Sequence, residues 1–246
     1  MCIFTGEVDN VSSTRIFARL QGQKQAVIYD MYLSTDNETA MVLPIPTALG
    51  NVENLVEFVD LSEYPDVFED LHDLFPKSRG IDLPFAAGRS EILEVTQVGA
   101  FSASFVPSPS EFSRLDPRFQ LSKTVIETLP NYTDYGFVVF KLRKGASQIH
   151  PMAFWFKTRK DSQLYYPTVH VHDGYNTEEF DHTLYAQGSL SGLIDLEGTY
   201  KKTGSKELKI IEFKSMGIVS SNFEVYKKTL VGSLPNKDVW FNSSSS

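Results

Sequence analysis

Histidine is the side chain best suited to hold a transition metal or to trade protons near neutrality. Four of the five histidines in this 246-residue chain lie in one stretch: His150, His170, His172 and His182. In an extended strand successive side chains alternate between faces, so His170 and His172 share one face while Val169 and Val171 share the other. Their Cα atoms then stand about 6.5 Å apart, close enough for two imidazoles to converge on one ion. Asp173-Gly174 is a turn signal, and the run from Phe180 to Gln187 reads as the returning strand. Pairing His172 with Phe180 sets His170 opposite His182 and puts three imidazoles on one face; a slip of one residue turns His182 away. His150, at the start of another strand, is a candidate fourth ligand. Asp173 and Asp181 are candidates to accept hydrogen bonds from ligand imidazoles. Nitrogen donors without cysteine suit Zn or Fe, and also Mn or Cu, better than Ca or Mg. With an open coordination position, such a site activates water, or dioxygen if the metal is iron, so the expected chemistry is that of a metal-dependent hydrolase or oxygenase. Two other readings of these residues stay open: acid–base catalysis without a metal, and a polar strand face whose valines form the core.

The single cysteine, Cys2, offers a different nucleophile. Removal of Met1 leaves it N-terminal, where its own α-amino group, with a pKa of about 8, can act as base. The opening Cys2-Ile3-Phe4-Thr5-Gly6, with Arg15-Ile16-Phe17-Ala18-Arg19, resembles the first hairpin of N-terminal-nucleophile hydrolases of the bile-salt hydrolase type. That resemblance spans about 20 residues. It implies an amidohydrolase with Cys2 as nucleophile and Arg19 as anchor, although Leu20-Gln21-Gly22 stand where that family carries an acid. Over most of its length the chain is also similar to an uncharacterised bacterial family, through the early cysteine, Leu43-Pro44-Ile45-Pro46, His150-Pro151-Met152-Ala153-Phe154 and Pro167-Thr168-Val169-His170-Val171-His172-Asp173-Gly174. That resemblance implies no particular activity.

The elements that must position these residues are mostly strands. Phe, Tyr, Val and Ile recur in short runs that favour extended structure. Strands are expected at 2–8, 14–20, 26–33, 40–45, 55–60, 92–98, 101–106, 136–142, 152–158, 165–172, 180–187, 208–213 and 223–227. A helix is expected over Pro65–Phe75, where Val67, Phe68, Leu71, Leu74 and Phe75 recur at helical spacing behind Ser62 and Pro65. Shorter helical turns are expected at Ser110–Leu115 and Ser122–Leu129. The fold class is therefore a strand-dominated α+β protein with mostly antiparallel, sandwich-like sheets and two or three short helices. A single domain over 1–242 is expected, with a possible subdivision near 90–95, and a serine tail at 243–246 left outside it.

Composition narrows the function classes. Net charge is −8, which is a poor match for general nucleic-acid binding. One cysteine excludes an intramolecular disulfide and a cysteine zinc cluster. The first ten residues lack the pattern of a secretory signal, and no apolar run approaches a membrane span, so a soluble cytoplasmic protein without membrane partners is expected. Dinucleotide-binding, Walker and His-Glu-x-x-His motifs are missing, and Gly188-Ser189-Leu190-Ser191-Gly192 fails as a nucleophile elbow because Leu190 holds the central place. Residues 50–94 carry eleven acids and three bases, whereas 141–160 carry six bases and no acid. These are two solvated faces of opposite sign or, on a further alternative, docking regions of a non-catalytic interaction module that engages a partner or a second copy of the chain. A small-molecule or peptide substrate suits either enzymatic alternative.

Overall fold

Strands dominate a computed structural model that describes residues 3–49, 54–76, 102–121, 125, 132–172, 175–176, 179–188 and 197–242. In chain order these are β1 (Ile3–Phe4), β2 (Asn10–Gln21), β3 (Lys24–Thr35), β4 (Thr39–Ile45), β5 (Val56–Asp60), β6 (Ala103–Val106), β7 (Gly136–Leu142) and β8 (Gly145–Gln148). They continue with β9 (Met152–Lys157), β10 (Gln163–Tyr166), β11 (Val171–His172), β12 (Tyr175–Asn176), β13 (Glu179–Gln187), β14 (Gly198–Tyr200), β15 (Val225–Ser233) and β16 (Val239–Asn242). Two α-helices, α1 (Val67–Asp73) and α2 (Lys206–Lys214), and 3-10 turns at Pro109–Arg114 and Pro117–Phe119 accompany them.

A six-stranded sheet runs β12-β11-β1-β4-β7-β6, and a larger one runs β14-β15-β13-β2-β3-β9-β5 with β8 also on β3. Most ladders are antiparallel; β13 with β2 and β1 with β11 are parallel. Period-two alternation sorts the side chains of the larger sheet into two layers. Ile16, Ala18, Leu184 and Ala186 face the six-stranded sheet and share a core with its Met41, Leu43, Val138 and Phe140. Phe17, Ile28 and Tyr185 face the other way and pack against Val67, Phe68 and Leu71 of α1 and Leu208 and Ile211 of α2. A third cluster covers the outer side of the six-stranded sheet, where Val42, Phe137 and Val139 meet Phe112 and Phe119. The result is two sheets face to face with helices outside them, the expected strand-dominated α+β class.

Some local expectations differ. Leu208–Phe213 is helix rather than strand: Ser205 caps it, its hydroxyl accepting from the Leu208 amide at 3.3 Å, and only Leu208 and Ile211 turn inward. The expected strand over 165–172 is two strands in different sheets, β10 and β11, with Pro167 between them. The expected elements at 92–98 and Ser122–Leu129 lie outside the described residues, apart from Val125.

Candidate functional site

The pairing that was to join the histidines is not formed. β11 pairs with β12, with His172 opposite Tyr175, while β13 joins the other sheet beside β2 and β15. His170 and His182 nevertheless meet, by approach of the two sheets rather than along a hairpin. Their ring centroids are 5.1 Å apart, and Phe180 closes a triangle at 4.9 Å from His170 and 5.0 Å from His182. Both imidazoles are buried, as are Val171 and Phe180, so these histidines belong to the interior and not to a solvated strand face.

The protonation of His182 can be read from its contacts. The Asp181 backbone amide donates to its Nδ1 at 3.2 Å, which requires a lone pair there and places the proton on Nε2. Burial, foremost, and the neighbouring His170 push its pKa far below the ordinary 6.5. It is therefore a neutral imidazole at any physiological pH. Thr14, its partner across the parallel ladder, is buried as well, and among the described residues the threonine hydroxyl has no hydrogen-bond partner.

The chain around His170 is held from behind by two residues that sequence reasoning missed. The Asn236 side chain accepts from the His170 amide at 2.8 Å and donates to the His170 carbonyl at 2.7 Å, as a neighbouring strand would. Asp238 is half-buried, and its carboxylate accepts four hydrogen bonds, from the Thr168 and Val169 amides and from the Tyr132 and Tyr165 hydroxyls. Burial outweighs those bonds and pushes its carboxyl above the usual range. Asn236 and Asp238 lie just before β16, which pairs with β10. An Asn-Lys-Asp run after Ser233 reads from sequence as an ordinary polar turn; nothing in it announces that its side chains hold the chain around His170.

The other candidates are dispersed. His150 lies beside Asp60 at the start of β9, half-buried, with Nδ1 3.3 Å from the Pro151 carbonyl; burial lowers its pKa and Asp60 opposes that. The paired residues Leu184, Ile16, Tyr29 and Met152 stand in one row across the sheet, which puts His150 about three strand spacings, some 14 Å, from the His182 end. Asp181 is on the opposite side of β13 from His182, and its carboxylate accepts from the amide of Ser13, a bulge residue at φ 52°. Arg19 also faces the helical layer. Its guanidinium donates to the carbonyls of Ile218 and Gly217 at 2.7 and 2.6 Å and lies over the Trp155 ring. Cys2 and Asp173 lie outside the described residues, as does the side chain of His172. Among the described residues no group of three or more His, Cys, Asp or Glu comes together to hold a metal, so those residues contribute two imidazoles and no complete donor set. A shallow cavity of about 390 Å³ is lined by Lys24, Glu57 and Trp155, away from both histidines.

No known protein family matches the chain, and no curated protein does. Solved structures do. The chain is similar in fold to baculovirus P35, at 16% identity with a TM-score of 0.52 over 99% of this chain and 100% of that one. P35 in its complex with caspase-8 matches at 16% identity over 94% and 96% of the two chains, with a TM-score of 0.45. A mutated P35 has also been solved after caspase cleavage, and that form matches at 16% identity over 97% and 99%, with a TM-score of 0.47.

Proposed function

We propose that this chain is a non-catalytic interaction module whose partner is a cysteine peptidase of the caspase kind. One observation carries the proposal: the fold likeness to baculovirus P35 runs over essentially the whole of both chains. P35 forms a complex with caspase-8, and a mutated P35 is itself cleaved by a caspase. The local geometry is in keeping with a binding body. His170 and His182 are packed as interior rings beside Phe180, and Arg19 is occupied with backbone carbonyls, so each has a structural task in the described fold. The test is to incubate the full chain with active caspase-8, then follow co-elution by size exclusion and chain cleavage by intact mass. A stable complex accompanied by one discrete cut is expected. Failure to associate with any active caspase, across a panel, would refute the proposal.

A second reading is favoured by the 5.1 Å approach of His170 and His182. Here the pair contributes two ligands to Zn or Fe, His182 through the tautomer that frees Nε2, and the protein is a metal-dependent hydrolase or oxygenase. Metal analysis of untagged protein separates the two. Near-stoichiometric metal that is lost in His170→Ala favours the second reading, and metal-free protein that takes up neither ion removes it. The Cys2 amidohydrolase alternative depends on loss of Met1, and an intact mass that retains Met1 removes that too.

A further inference from the structure

Helix α2 is amphipathic in an unusual sense. At 100° per residue, Leu208 and Ile211 point into the outer core. The opposite pole, farthest from the sheet, carries Lys206, Ile210 and Phe213, with Lys209 and Lys214 beside them. Phe213 is 86% exposed, Met216 just beyond the helix 61%, and Ile210 42%. Of the six large hydrophobic side chains left exposed among the described residues, three therefore fall within seven positions and on one surface. Isolated apolar side chains on a surface need no explanation, but a contiguous stripe with a phenyl ring almost wholly in water does. Helix formation does not require it, because Ser205 already caps the N-terminus and the inward face is complete.

Charge indicates what covers the stripe. The whole chain carries −8, yet this pole bears lysines and no acid; Glu207 and Glu212 stand on the shoulders toward the core. Glu212 is engaged with the hydroxyls of Ser220 and Ser221. Lys214 reaches back to Asp70 and the Tyr64 ring on the α1 side, which leaves Lys206 and Lys209 exposed along the stripe. An anionic membrane would satisfy the stripe but would also meet the acids of α1 next door, among them Glu69, Asp70 and Asp73. A second copy of the chain brings another −8 with it. A narrow protein segment meets neither obstacle.

We infer that the α2 face formed by Ile210, Phe213 and Met216 beside Lys206 and Lys209 is a docking site for a partner protein segment in which a large apolar side chain is flanked by carboxylates. This face is on the helical side of the larger sheet, away from His170 and His182, and does not depend on the caspase proposal. The recognition would be of the helix-face kind, with the ring as anchor and the lysines setting specificity and on-rate.

The test selects displayed random peptides on the full chain and, in parallel, on an Ile210→Ser/Phe213→Ser variant whose melting temperature is checked first; both side chains are exposed, so folding should be unchanged. Enriched peptides are then measured by fluorescence anisotropy at low and high salt. The expected result is a consensus with an aromatic or aliphatic residue beside Asp or Glu, absent from selection on the serine variant. Its affinity should fall about tenfold or more in Lys206→Glu/Lys209→Glu. No enrichment, or peptides captured equally by the serine variant, overturns the inference. So does binding only to phosphatidylserine-containing vesicles, or a Phe213-dependent dimer in sedimentation, since either names a different occupant.

Discussion

Protonating His182 sets a charge between two sheets with another imidazole and a phenyl ring at about 5 Å, and the fold has to oppose it. Its folded-state pKa lies below the ordinary 6.5, so in acid the unfolded chain binds the proton and the folded chain does not. Stability from this residue is therefore complete above that value and declines as pH falls below it, by at most about 1.4 kcal/mol per pH unit. His150, also lowered, adds a weaker effect of the same sign. Asp238 acts in the opposite direction: its raised pKa favours the folded state as the carboxyl takes up its proton, in a window that lies above 3.8. Melting temperature should accordingly drop between about pH 7.5 and 5. His182→Phe, which keeps a ring in the triangle, should flatten that slope, and an unchanged slope would show that the titration resides elsewhere. The meeting of His170 and His182 was legible in the sequence as two histidines in neighbouring strands. The reason for it was not: alternation and turn signals predict faces within one sheet, whereas these rings meet between two.

At the scale of elements, Arg19 ties the loop after α2 to the middle of the larger sheet. One planar guanidinium donates to two successive carbonyls, Gly217 and Ile218, and stacks on Trp155. Burial lowers its pKa, and Glu212 works against that. A lysine offers neither the fork nor the flat face. Arg19→Lys should thus cost about 1–2 kcal/mol and Arg19→Ala about 3 in urea unfolding; losses within about 0.5 kcal/mol would mean the carbonyls find other donors. The helix over Val67–Asp73 was readable because its inward residues Val67, Phe68 and Leu71 keep helical spacing. Helix α2 was misread because Leu208, Ile210, Ile211 and Phe213 look like a strand's apolar run, half of which faces water. The informative signal was local and small: Ser205, following Gly204, as cap.

For the whole molecule, the larger sheet has a core on each face, and each core includes one of the chain's two tryptophans as a half-buried neighbour. Trp155 belongs to the helical side and Trp240 to the side between the sheets. Because β2, β3, β9 and β13 contribute to both, neither layer can melt while the other keeps its strands. Trp155→Phe and Trp240→Phe, each reporting through the remaining indole, should give coincident denaturation midpoints; midpoints well apart would indicate a helical layer that detaches first. The two parallel ladders add a constraint in time. Ile3 pairs with Val171, and Thr14 with His182, so β1 and β2 find partners that are made 168 residues later. At ordinary elongation rates that interval is roughly ten to thirty seconds. Until it ends, Ile3 and Phe4, both buried in the finished fold, must remain unpaired on the β11 side, open to chaperones and to mispairing.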